Sequence, residues 1–205
     1  MARMAILATA LAALVAALGP WSPLHGTLAG HMLQHLVAMN VAALLLAVAL
    51  RPKLQGVLAL STVLQIALLW GWHVPPVFEA ASHGLVLPLL MQGSLLAVAF
   101  LFWGAVLAHP VDKSWQTIFA ALVTAKAFCM FGAILCFSRR PLYPLHGAHL
   151  APDLSALDDQ QLAGLLMISS CALVYVVAAV ALFLRWMNKA DRDSRQRPSW
   201  HAADA

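Results

Sequence analysis

The chain has 205 residues, and only 10% of them are charged, against about 25% in an average soluble domain. With 62% of residues hydrophobic, an ordinary soluble enzyme or binding module is excluded, and one bundle of membrane-spanning helices is expected. The net charge of +4 gathers near the end, at Arg185, Lys189, Arg192, Arg195 and Arg197. That stretch lacks interleaved aromatics, so it reads as a flank facing anionic lipid rather than a nucleic-acid surface.

Met1 to Gly19 holds Arg3 and then a long Ala/Leu run. Ala16-Ala17-Leu18 lacks the small residues wanted one and three before a cleavage point, so the run reads as an uncleaved first span. Gly19-Pro20-Trp21-Ser22-Pro23 breaks it. The second span runs from about Thr27 to Leu50 and stops at Arg51-Pro52-Lys53. The third runs from about Leu54 to Trp72 and ends at His73-Val74-Pro75-Pro76, with a loop to follow. The fourth, fifth and sixth cover about Leu85–Leu107, Trp115–Phe137 and Gln161–Met187. The expected fold is an all-α polytopic bundle of about six spans over residues 1–187. A basic, disordered cytoplasmic tail over 188–205 completes it. Arg3, Arg51, Lys53, Lys113 and the C-terminal cluster share one face, which puts both termini in the cytoplasm; Arg139 and Arg140 run against the pattern. The connection Ser138 to Asp159 is the longest, and is expected to pack as a lid over the outer ends of spans two and three.

Within this frame the second span opens on His31-Met32-Leu33-Gln34-His35. Residues four apart leave a helix on one face, so the two imidazoles can hold one metal ion. A zinc-protease helix would need glutamate after the first histidine; Met32 stands there, so hydrolysis is rejected. The outer halves of the spans bring together His31, Met32, His35, Met39, Met91, Cys136, Met167 and Cys171. Soft sulfur beside imidazole selects Cu(I). The competing reading is that the histidines bond neighbouring helices and the methionines fill the core. The three cysteines, Cys129, Cys136 and Cys171, fall in spans and are expected to be free thiols. Lys126 sits in the middle of the fifth span, where a charge costs several kcal/mol unless it faces protein or water. It either meets a helix carbonyl or Asn40, or serves a protein or proton contact. Asp158 or Asp159 can cap the sixth span.

Taken together, His31-Met-Leu-Gln-His35, Trp72-His73-Val-Pro, Phe102-Trp103, Leu142-Tyr143-Pro144 and Asp158-Asp-Gln-Gln-Leu-Ala-Gly164 resemble the CtaG-type cytochrome c oxidase assembly factors over residues 27–187. The resemblance implies a multi-pass protein of the bacterial plasma membrane that helps haem-copper oxidase acquire its metallated core. His31, His35 and His73 match the family's motif histidines, and Asp159 and Gln160 match its Asp-Gln pair. Where many relatives carry a second histidine pair on the fourth span, this chain has Pro88-Leu-Leu-Met91-Gln92. Either Met91 substitutes, or copper is held by fewer ligands and more weakly.

The expected function is therefore a non-enzymatic assembly factor. It would bind Cu(I) through His31 and His35, with His73 or a sulfur from Met32, Met39, Met91 or Cys171, and deliver it to an oxidase subunit. A periplasmic copper chaperone is a further expected partner. The alternative is a membrane electron carrier in which histidines such as His35 and His73 are axial haem ligands.

Overall fold

The computed structural model describes residues 2–18, 26–81, 84, 86–143 and 154–195, and all of its regular structure is helical. In chain order the helices are α1 (Ala2–Leu18), α2 (Leu28–Leu36), a π-helical stretch (Val37–Ala42), α3 (Ala43–Leu50), α4 (Leu58–Trp72) and α5 (Pro75–Ala81). Then come α6 (Val86–Ala108), a short 3-10 turn (Val111–Lys113), α7 (Ser114–Phe137) and α8 (Ala156–Arg195). α2, the π stretch and α3 form one continuous apolar helix, Leu28–Leu50.

Among the described residues, four helices are long and apolar enough to cross a membrane, and five if α4 and α5 are taken together. A span needs about 20 residues at 1.5 Å each to cross a core about 30 Å thick. α4 has 15 residues, so by itself it falls short of that length, and α1 is described over 17 residues. The all-helical bundle itself matches expectation. Two boundaries do not. The stretch after Trp72, expected as a loop, forms α5, because Pro75 suits the first position of a helix whose missing N–H costs nothing there. α8 continues to Arg195, so residues 188–195 are helical rather than an unstructured tail; 196–205 lie outside the described residues. Over its 40 residues α8 extends roughly 60 Å, well beyond a membrane's thickness.

The tightest helix crossing is made by two glycines. A Cβ on Gly164 would lie 2.5 Å from the carbonyl oxygen of Gly132, and one on Gly132 would lie 2.9 Å from the carbonyl oxygen of Gly164. Small residues let helix backbones approach in this way inside a membrane, where van der Waals contact carries association. The obstacle to a larger residue is backbone, which cannot swing aside. Gly164→Ala is therefore expected to cost about 1–3 kcal/mol, measured as a loss of unfolding free energy in detergent. An unchanged stability would mean that α7 and α8 can separate freely.

The opposite ends of the bundle differ in chemistry. At one, Arg51, Lys53 and Arg185 line an open basic cavity of about 520 Å³. The other end holds the histidines.

Candidate metal centre

Two elements deliver three histidines to one place. α2 carries His31 and His35. Its N-terminal turn is capped twice: Thr27 Oγ1 accepts from the Gly30 N–H at 3.0 Å, and the Asp159 carboxylate accepts from the Leu28 and Ala29 N–H groups at 2.7 and 2.9 Å. A carboxylate at a helix N-terminus satisfies donors that the helix leaves open and meets its positive end. Asp159 therefore caps α2 from α8, on the far side of the chain. α8 is capped by Ser155, whose Oγ accepts from the Asp158 N–H, while the Ser155 hydroxyl donates to the carboxylate of Asp158. Neither aspartate caps the sixth span directly: Asp158 holds the capping Ser155, and Asp159 serves α2.

His73 comes from a break in the chain. It ends α4 with φ −96° and ψ 9°, in the sparsely populated bridge between helix and strand conformations, and α5 then leaves at 79° to α4. The prolines at 75 and 76 force this, since a residue before proline avoids the helical region. The break turns the His73 side chain inward, where it is 2% exposed.

The ligating nitrogens of His31, His35 and His73 all lie within 4.8 Å of one another. Ring centroids are 4.3 Å apart for His31–His35, 5.3 Å for His35–His73 and 5.8 Å for His31–His73. His73 Nδ1–H donates to the Leu69 carbonyl at 2.7 Å, and His35 Nδ1–H donates to Gln92 Oε1 at 3.1 Å. Fixing Nδ1–H in this way leaves Nε2 of each ring as the lone-pair nitrogen turned to the centre, which is how metal-ligating histidines are oriented. His35 Nε2 accepts from His31 Nε2–H at 2.7 Å. His73 Nε2 is buried and finds no hydrogen-bond partner among the described residues. A buried lone pair without a partner is costly, and a metal ion held between the three rings would satisfy it. The residues fit such an ion.

Aromatic side chains close the site. Phe78 of α5 stacks on His73 and meets His31 edge-on; Phe131 of α7 packs at 5.3 Å from His73. Tyr143 packs on Phe78 at 4.8 Å and donates its hydroxyl to the His73 carbonyl. Burial pushes the Tyr143 phenol up to about 12, so it stays a donor. Gln160 holds the segment that bears Tyr143: its amide nitrogen donates to the Leu135 carbonyl at 3.1 Å, and its oxygen accepts from Leu142 N–H at 2.6 Å. Tyr143 thus brings the first part of the long loop onto the end of the third span, while residues 144–153, with His146 and His149, and with them most of the expected lid, lie outside the described residues. His31 is half-buried and His35 almost fully buried, so His31 is the more accessible side of the triad.

The sulfur atoms proposed from sequence are placed less uniformly. Met32 and Met39, with Met167, line a cavity of about 10 Å³ bounded also by His35, Asn40 and Phe128. Met91 and Cys171 are buried but do not line it. The three cysteines are free thiols. Lys126 is exposed on α7 and does not meet Asn40, which is buried and faces the Cys171 thiol instead. Gln92, adjacent to the expected Met91, is the polar contact to His35 that sequence reasoning missed, as it missed Phe78 and Tyr143. Tyr143 stood in a quoted motif, but no spacing rule connects it to His73.

Below the histidines, the π-helical stretch widens the turn and frees backbone carbonyls. Trp103 Nε1–H donates to the Met39 carbonyl at 3.1 Å. Trp103 in turn stacks on Tyr175 at 5.3 Å, and Gln65 donates to the Tyr175 hydroxyl at 3.2 Å. π-Helical turns recur at functional sites, and here the Phe102-Trp103 motif braces one directly beneath His35.

Fold and site together define a polytopic membrane protein with an enclosed three-histidine centre at one end of its bundle. The family model for cytochrome c oxidase caa3 assembly factors (Caa3_CtaG) matches residues 57–189, and the chain belongs to that family. The matched segment holds His73, Gln92, Trp103, Tyr143, Asp159 and Gln160, and begins after His31 and His35. No curated protein and no solved structure matches the chain.

Proposed function

We propose that this protein acts in the assembly of haem-copper oxidase by holding Cu(I) between His31, His35 and His73 and passing it to an oxidase subunit. The observation that carries the reading is the buried Nε2 of His73, left without a partner among the described residues in a triad whose candidate ligating nitrogens lie within 4.8 Å of one another. Three neutral imidazoles suit copper, and the three ligands gathered among the described residues suit a carrier that must release its ion; closed four-ligand cages suit permanent structural zinc. His31 is the exchangeable ligand: to bind, it gives up its hydrogen bond to His35 and moves its proton to Nδ1. Met32, Met39 and Met167 offer the departing or arriving ion soft contacts on the side away from His31. In this reading the role is assembly rather than catalysis, and the protein works from the bacterial plasma membrane with both termini cytoplasmic.

Haem ligation is the weaker reading. The triad is packed by Phe78 and Phe131, and the cavity beside His35 has room for about one water-sized sphere rather than a porphyrin. Metal analysis and a visible spectrum of the purified protein after anaerobic Cu(I) loading test the choice. A colourless sample retaining one equivalent of copper is expected. A Soret band, or no retained copper, sinks the proposal.

A further inference from the structure

A lysine in the middle of a lipid-facing surface has no place in a protein that works alone. α7 runs from Ser114 to Phe137, which puts Lys126 roughly 17 Å along the helix from either end and so close to the midplane of a core about 30 Å thick. The Lys126 side chain is exposed. It makes no hydrogen bond or ion pair among the described residues. The chain cannot supply a counter-ion at that depth, because its acidic residues are Glu79, Asp112, Asp153, Asp158, Asp159, Asp191, Asp193 and Asp204, and none falls inside a spanning helix away from its ends. A charge at the bilayer centre costs several kcal/mol even after snorkelling. The methylene stem reaches only about 6 Å, well short of either interface.

The surface around Lys126 is continuous and apolar. Trp115, Phe119, Leu122, Met130, Ile134 and Phe137 are 56%, 63%, 45%, 53%, 44% and 80% exposed. With Lys126 they recur at intervals of three or four residues, so they form one stripe along α7. A helix laid along that stripe would bury the apolar side chains and enclose the lysine, and would then need an acceptor facing it. We propose that this stripe is the docking surface for a transmembrane helix of another protein that carries an aspartate or glutamate at its midplane. A second copy of this chain fits poorly, because two lysines would meet. Assigning that helix to an oxidase subunit rests on the assembly reading above; the carboxylate requirement rests on Lys126 alone.

Full-length protein in phosphatidylcholine vesicles, labelled for energy transfer, is mixed with single-span Leu/Ala peptides bearing Glu, Gln or Leu at the centre. The Glu peptide is expected to associate about tenfold more tightly than the Leu peptide, the equivalent of about 1.4 kcal/mol. Lys126→Leu is expected to erase that preference while keeping or raising thermal stability, since it removes a lipid-exposed charge. Lys126→Glu is expected to favour a peptide with central lysine instead. Equal association of the three peptides, an unchanged preference in Lys126→Leu, or strong pairing of copies that keep Lys126 and carry Leu122→Cys or Met130→Cys overturns the proposal. Cu(I) retention is read in the same vesicles. Lost selectivity with intact copper binding rejects docking alone, whereas intact selectivity without copper binding supports docking and rejects the metal reading alone.

Discussion

Replacing His35 with alanine is expected to weaken Cu(I) binding by at least about 100-fold, the upper end of what loss of an outer partner costs a metal site. His35 is the middle member of the triad, in ring contact with both other histidines. Its loss removes one ligand and the hydrogen bond that aligns His31. Gln92→Leu is the informative companion. It leaves all three imidazoles and removes only the acceptor that fixes His35 Nδ1–H, so a fall of about 10-fold or more is expected. Competition with a chromophoric Cu(I) chelator measures both. Binding should also fall in acid, because protonated imidazole cannot ligate. Undiminished affinity in a His31→Ala/His35→Ala double variant places the metal elsewhere and makes the pair structural.

Replacing Asp159 with alanine is expected to be the most damaging change outside the triad. Two buried N–H groups of α2 lose a carboxylate acceptor. Hydrogen bonds to charged groups contribute about 1.5–3 kcal/mol each, and the stranded donors add to the loss, so a total of about 3 kcal/mol or more is expected. The histidine-bearing turn should also loosen, lowering Cu(I) affinity along with stability. Asp158→Ala removes only the exposed acceptor of the Ser155 hydroxyl and leaves the Ser155 cap in place, so it should cost about 0.5–1 kcal/mol. Chemical unfolding in detergent compares the two. Equal losses would show that the tie between α8 and α2 carries no special weight.

The contrast between these neighbouring aspartates shows what the sequence could and could not reveal. Spacing put His31 and His35 on one face, and the motif around Trp72 brought in His73. Hydropathy gave the helical bundle, because a long apolar run is a strong local signal. The acid pair was ambiguous, since both residues sit where a helix begins. Only tertiary structure brings the N-terminus of α2 within reach of Asp159. Gln92 was hidden for the same reason: which of two adjacent residues faces His35 depends on the rotation of α6, which its nearly uniform apolar sequence does not encode. The break at His73 was legible in Pro75 and Pro76, but the helix beyond it was not, because the same prolines that end α4 also start α5. Lys126 was recognised as anomalous, yet whether it faced inward or outward required the packed bundle.

The π-helical stretch Val37–Ala42 behaves like a gear tooth added to a shaft. A π turn holds about one residue more than an α turn, so deleting a single residue there would let Leu28–Leu50 close into regular α-helix. Everything on one side of the deletion would then rotate by about 100° relative to the other. With the lower part held by Trp103, the rotation would swing His31 and His35 away from His73. Substitutions at 37–42 can be mild while a one-codon deletion ruins the centre, and homologues that differ in length at this point would have to build their metal site on a different helix face.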